Sequence, residues 1–223
     1  MEKLLTKFDM EVSKLVENYM DASLKYIDLY KGAEGVPNLI QLYDRIDKAP
    51  IRPSQRDKEN VLSLILFNQS IFATKTTIAE GLFAKVKHMV EQSCVSPKTI
   101  LRATKMAYNL HYDYSNAGNF EKAEIYYQYL KLLHVRYVDS NDTINDNPLG
   151  LEIATRVGTA ALNYSIDYKN KNMKTSIFSF RKKNSEKLQT LLEDVNALTK
   201  RWIGANAKSS QDNLSAMKRN YAK

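Results

Sequence analysis

The sequence predicts an all-α fold, an antiparallel array of about eight or nine helices, on two observations. Apolar residues recur at three-and-four spacing along most of the chain, and no stretch alternates every second residue as a half-buried strand does. Gly and Pro number only seven and five in 223 residues, too few turn formers for a many-stranded sheet. The length suffices for one domain with a substantial core or for two small ones; a single all-helical domain over 1–223 is expected.

The first helix is marked by Leu5, Phe8, Val12, Leu15, Val16 and Tyr19 on one face, with Gly32 as its stop. Pro37 then heads "PNLIQLYDRI", in the first-turn position that suits a residue without an N–H. Two prolines make "KAPIRPSQRD" (48–57) a loop. Residues 61–92 are apolar enough for a core helix, with one break near Thr74. Ser96 and Pro97 read as cap and first turn of a helix running to about Ala117 and stopped by Gly118. "NFEKAEIYYQYLKLLHVRYV" (119–138) is the next helix, and "DSNDTINDNP" (139–148) is the clearest loop. Pro148 opens a helix that "NKNM" interrupts, and a long helix follows from about Thr175 to Ile203. Ser209 and Asp212 have capping-box-like spacing ahead of a last helix.

Hydrophobic residues at 43% and charged residues at 26% describe an ordinary globular chain. No apolar run approaches the ~20 residues of a membrane span, and the charged first residues show no secretory signal. One cysteine, Cys94, excludes an intramolecular disulfide and fits a reducing compartment, so a cytoplasmic location is expected. The net charge of +8 is uneven: residues 169–223 hold 13 Lys+Arg against four Asp+Glu. Within them "KNKNMKTSIFSFRKKNSEK" (169–187) interleaves Phe178 and Phe180 with seven basic residues. Cations can neutralise phosphates while aromatics stack on bases, which makes binding of a nucleic acid or an anionic surface the alternative function. The same pattern also fits phenylalanines turned to a core and lysines coating the outside.

"ALNYSIDY" (161–168) puts an amide among core-forming residues, and an unpartnered buried amide costs roughly 1–3 kcal/mol. Asn163 therefore either serves a ligand, caps a neighbouring helix or binds a buried water.

Two family resemblances bear on the array and on this amide. "AYNLHYDYSNAGNFEKAEIYYQYLKL" (107–132) resembles one tetratricopeptide repeat, through Asn109, Leu110, Tyr114, Gly118, Phe120, Ala123 and Tyr127. His111 replaces that repeat's small residue, Leu130 its later Ala, and no second copy follows at its period. "ALNYSIDY", the upstream "NPLGL" (147–151) and "DNLS" (212–215) resemble pieces of the 14-3-3 family, a concave array of antiparallel helices. "ENVLSLIL" (59–66) and "ENYMD" (17–21) are similar to its early helices. The resemblance implies an adaptor that binds an extended peptide, with Asn163 and Asn213 hydrogen-bonding the peptide backbone. It also implies a cytoplasmic signalling role and a homodimer formed through N-terminal helices, where Asp21 is a salt-bridge candidate.

The family's phosphate clamp, two Arg, a Lys and a Tyr, is not recovered here. Aligning Lys105 and Met106 puts Tyr112 and Asp113 at its Arg-Tyr pair; the competing alignment of "LFAKVK" puts Gln92 and Ser93 there. Phe67 and Thr74 occupy the remaining Lys and Arg positions. If the peptide is phosphorylated, other cations must hold it, and Lys75, Lys85, Lys87 and Arg156 are the candidates by helix position.

No enzyme, metal or cofactor is expected. His88, His111 and His134 stand 23 apart without metal-ligand spacing, and no P-loop, dinucleotide loop or nucleophile elbow occurs.

Overall fold

The computed structural model describes residues 44, 47, 55–91, 95–139, 148–173 and 178–203. Among them the chain is all-helical: α1 (Gln55–Ile71), α2 (Thr76–Glu91), α3 (Pro97–Asn116), α4 (Phe120–His134), α5 (Pro148–Tyr168) and α6 (Phe178–Ile203). The expected helices around Leu5 and Asp212 lie outside the described residues; of "PNLIQLYDRI", headed by Pro37, only Asp44 is described, and it is helical. No helix among the described residues is long and apolar enough to cross a membrane. The chain divides into two compact units, 1–106 and 107–223.

In the first unit α1 and α2 pack together. Val61, Leu62, Ile65 and Leu66 of α1 are buried, as are Phe83, Val86, Met89 and Val90 of α2 and Ile100, Ala103 and Met106 of α3. Each set keeps helical spacing, which is why the hydrophobic pattern located it. The break expected near Thr74 falls between Ile71 and Thr76, where the Lys75 carbonyl accepts from the Ile78 and Ala79 amides to start α2. The loop expected over 48–57 gives way to helix at Gln55, because a polar first turn carries no hydrophobic signal. Ser96 caps α3 as expected: its Oγ accepts the Thr99 amide at 3.1 Å.

In the second unit α5 packs against both α4 and α6. Val157, Ala160 and Ala161 of α5 are wholly buried, and small residues at that spacing let neighbouring helices approach. The stop at Gly118 is a Schellman turn. Gly118 takes φ +78°, its amide bonds the Ser115 carbonyl at 2.9 Å, and the Asn119 amide bonds that of Tyr114 at 2.9 Å. Asn119 then caps α4 through Lys122. The interruption expected at "NKNM" is a π-helical turn, Lys169–Met173. It carries Lys171 back to the end of α3, where Nζ donates to the carbonyls of Ser115 and Asn116. A cation there satisfies carbonyls that the helix leaves open and opposes its dipole.

Of the residues that carry the tetratricopeptide resemblance, Leu110, Tyr114, Ala123 and Tyr127 are buried, among other aromatic rings. Tyr114 and Tyr126 stack with centroids 5.9 Å apart, and Ala123 is fully buried. His111, standing for a small residue, fits because its Nδ1 bonds the Ala123 carbonyl at 2.9 Å while its ring edges onto Tyr164 at 5.0 Å. Polar links close α6 onto this core: Tyr127 and Lys131 both donate to Asp194 Oδ2 at 2.9 Å, and Lys187 donates to Glu124 at 2.7 Å.

Candidate functional site

Asn163 sits on the half-buried side of α5, neither sealed in the core nor capping a helix. Its Nδ2 donates to the Tyr108 hydroxyl of α3 at 3.4 Å, a long bond at the edge of useful geometry. Its carbonyl oxygen makes no hydrogen bond to a described residue. One acceptor and one N–H of the amide are thus open, the pair that a peptide main chain can meet.

Arg156 lies two helical turns earlier on α5, so it shares a side with Asn163. Its guanidinium stands 5.2 Å from the Tyr108 ring centroid, a cation–π contact. Nε and Nη2 both donate to Glu152 Oε1 at 3.1 Å. Burial raises the Tyr108 phenol above its ordinary range, opposed by Arg156 and by the bond from Asn163 and assisted by Tyr112. Tyr108 therefore stays a neutral hydroxyl, able to donate its own proton while it accepts from Asn163. Tyr112, one turn along α3, is 44% exposed and extends the aromatic surface toward solvent.

The packing thus gathers two of the residues expected from the sequence, Asn163 and Arg156, around one tyrosine. Asn213 lies outside the described residues. The three lysines belong to the unit 1–106. Lys75 is exposed ahead of α2, and Lys85 and Lys87 stand two positions apart on that helix, hence on different sides of it. Lys87 reaches Glu91 at 3.8 Å. In the other unit, Arg156 has its charge offset by Glu152. Sequence reasoning passed over Tyr108 and Glu152. The Glu152–Arg156 pair was detectable, being four apart on a helix; Tyr108 was not, because its partner is 55 residues away.

The basic stretch 169–187 is partly absorbed by the fold. Lys171 caps α3, and Lys187 pairs with Glu124 and stands 5.6 Å over the Tyr164 ring. The side chains of Phe178 and Phe180 lie outside the described residues. No protein-family model, no curated protein and no solved structure matches the chain.

Proposed function

We propose that the protein is a peptide-binding adaptor, its helices set as a concave 14-3-3-like array in which Asn163 hydrogen-bonds the main chain of an extended ligand. The observation that carries this reading is the state of that amide: half-buried, held by one long bond to Tyr108, with its oxygen unused. An amide kept for packing alone is normally satisfied on both ends. "ALNYSIDY" and the "PLGL" that begins at Pro148 both lie in the α5 helix on which it stands. Asn213 is the second backbone-reading amide of this proposal, and N-terminal helices its dimer contact.

The ligand is read through its main chain, and phosphate adds little. Arg156 is the cation beside Asn163, and Glu152 already engages two of its nitrogens. Binding of a nucleic acid by the basic C-terminal quarter is the weaker alternative, since Lys171 and Lys187 are taken up in intramolecular contacts. The adaptor acts in the cytoplasm in this reading, without catalysis, metal or cofactor.

Fluorescence anisotropy against a degenerate peptide library, with central Ser or phosphoserine, tests it. The expected outcome is saturable binding to both forms, weakened about tenfold in Asn163→Ala, the loss of one or two main-chain hydrogen bonds. A folded Asn163→Ala protein that binds as tightly as the parent overturns the reading. Binding that collapses with salt and is competed by single-stranded RNA favours the alternative.

A further inference from the structure

In the unit 1–106, Arg102 of α3 reaches across to α1. Its Nη1 bonds the Asn60 carbonyl and Asn60 Oδ1, each at 2.7 Å, and Ser63 Oγ at 3.0 Å. All three acceptors are neutral. Among the described residues no carboxylate pairs with this guanidinium. Its Nε–H and Nη2 make no hydrogen bond to a described residue, yet neither is sealed from solvent. Burial alone lowers its pKa to about 10, so it remains charged at neutral pH.

A charge drawn into a protein without a counter-charge is costly, and the cost falls when an anion arrives. The three neutral oxygens hold one arm of the fork and leave the Nε–Nη2 edge, the edge that matches two oxygens of one oxyanion. Lys98 and Lys105 stand one turn to either side on α3, on the same side of the helix. No Asp or Glu occurs from Pro97 to Tyr112, so this part of α3 itself carries three cations and no acid. The Ser96 cap occupies the Thr99 amide, so the helix end itself is not what offers the donors.

We propose that the Nε–Nη2 edge of Arg102, flanked by Lys98 and Lys105, is a binding site for a phosphate-type oxyanion. A dianion brings two negative charges toward Arg102 and the flanking lysines where a carboxylate brings one, so it is the better match. The oxyanion is either free phosphate or a phosphomonoester, since both present the same tetrahedral oxygens. The site stands independently of the peptide reading, which concerns residues of the other unit.

The test is an NMR titration of the full chain, following the Arg102 Nε–H resonance at constant ionic strength. Inorganic phosphate, O-phosphoserine and acetate are added in separate arms, with sodium chloride as the control. Saturable movement with phosphate or O-phosphoserine, absent with chloride and at least about tenfold weaker with acetate, is expected for a bidentate charge-assisted contact. Whichever of the two phosphates saturates at lower concentration identifies the source. Arg102→Gln should lower the affinity by about tenfold or more. Lys98→Gln, an exposed change that leaves the fold alone, should lower it about two- to threefold, the share of one flanking charge. An Nε–H signal that responds to phosphate no more than to chloride overturns the site. So does a folded Arg102→Gln protein of undiminished affinity, and so does equal response to acetate and phosphate.

Discussion

The Tyr127 hydroxyl donates to Asp194 Oδ2 at 2.9 Å, joining α4 to α6 across 67 positions of sequence. The ring is completely buried, and Lys131 donates to the same oxygen. Burial first, then the Asp194 charge and hydrogen bond, raise the phenol well above its ordinary range, so the proton stays on Tyr127. Asp194→Ala leaves that buried hydroxyl without an acceptor and should cost about 1–3 kcal/mol. Tyr127→Phe in the same background should add little, so urea denaturation of the four proteins should show coupling above about 0.5 kcal/mol. Additive losses would mean that the bond contributes nothing of its own.

Glu152 decides how much charge Arg156 can offer a ligand. Glu152→Gln removes a half-exposed ion pair, and the stability change should stay within about 0.5 kcal/mol. The affinity for a phosphoserine peptide should rise about two- to fivefold as the guanidinium gains charge to share, with the unphosphorylated peptide unchanged. Anisotropy on both peptides checks this; an equal change for the two contradicts it.

His111 ties stability to pH. Burial lowers its pKa below the ordinary 6.5, against the opposing pull of the Ala123 and Ala160 carbonyls and of Glu124 and Asp167. The folded ring is therefore neutral where the unfolded ring accepts a proton, so the unfolded state binds more protons as the pH falls below 6.5. The stability contributed by the neutral ring is present above that pH and is lost on acidification toward the lowered folded value. Glu124 acts in the same direction at lower pH. Burial would raise its pKa, but hydrogen bonds from Lys187 and Gln128, helped by the nearby Tyr164 hydroxyl and the Lys187 charge, hold it below the usual carboxylate range. Urea midpoints between about pH 7 and pH 5 should fall more steeply in the parent than in His111→Gln. Parallel profiles would show that another group carries the dependence.

Gly118→Ala probes the turn that sets α4 on α3. The added Cβ meets Lys171 Cδ at 3.6 Å, an ordinary contact, so space is not the difficulty. The φ of +78° is, and an L side chain there should cost about 1–2 kcal/mol. A thermal midpoint that does not move would show that the turn relaxes to another conformation.

Helix identity and most helix ends could be read from single residues. Ser96, Gly118 and Pro148 each act within one turn of where they stand, and the structure places helix ends at all three. The start of α1 at Gln55 could not be read, because a polar helical turn and a polar loop look alike in composition. The break after Ile71 was readable only to within a few residues.

The candidate site divides along the same line. That residue 163 is an amide on a core helix is a matter of composition and period, and the question it raised could be posed without coordinates. That its partner is the Tyr108 hydroxyl, and that Arg156 lies over the same ring, depended on how α5 settles against α3. Hydrophobic period tells a helix which side to bury but not which neighbour it will meet. The neighbour follows from the fit of many side chains at once, Ala160, Ala161 and Tyr164 among them, and that fit exists only in the packed chain.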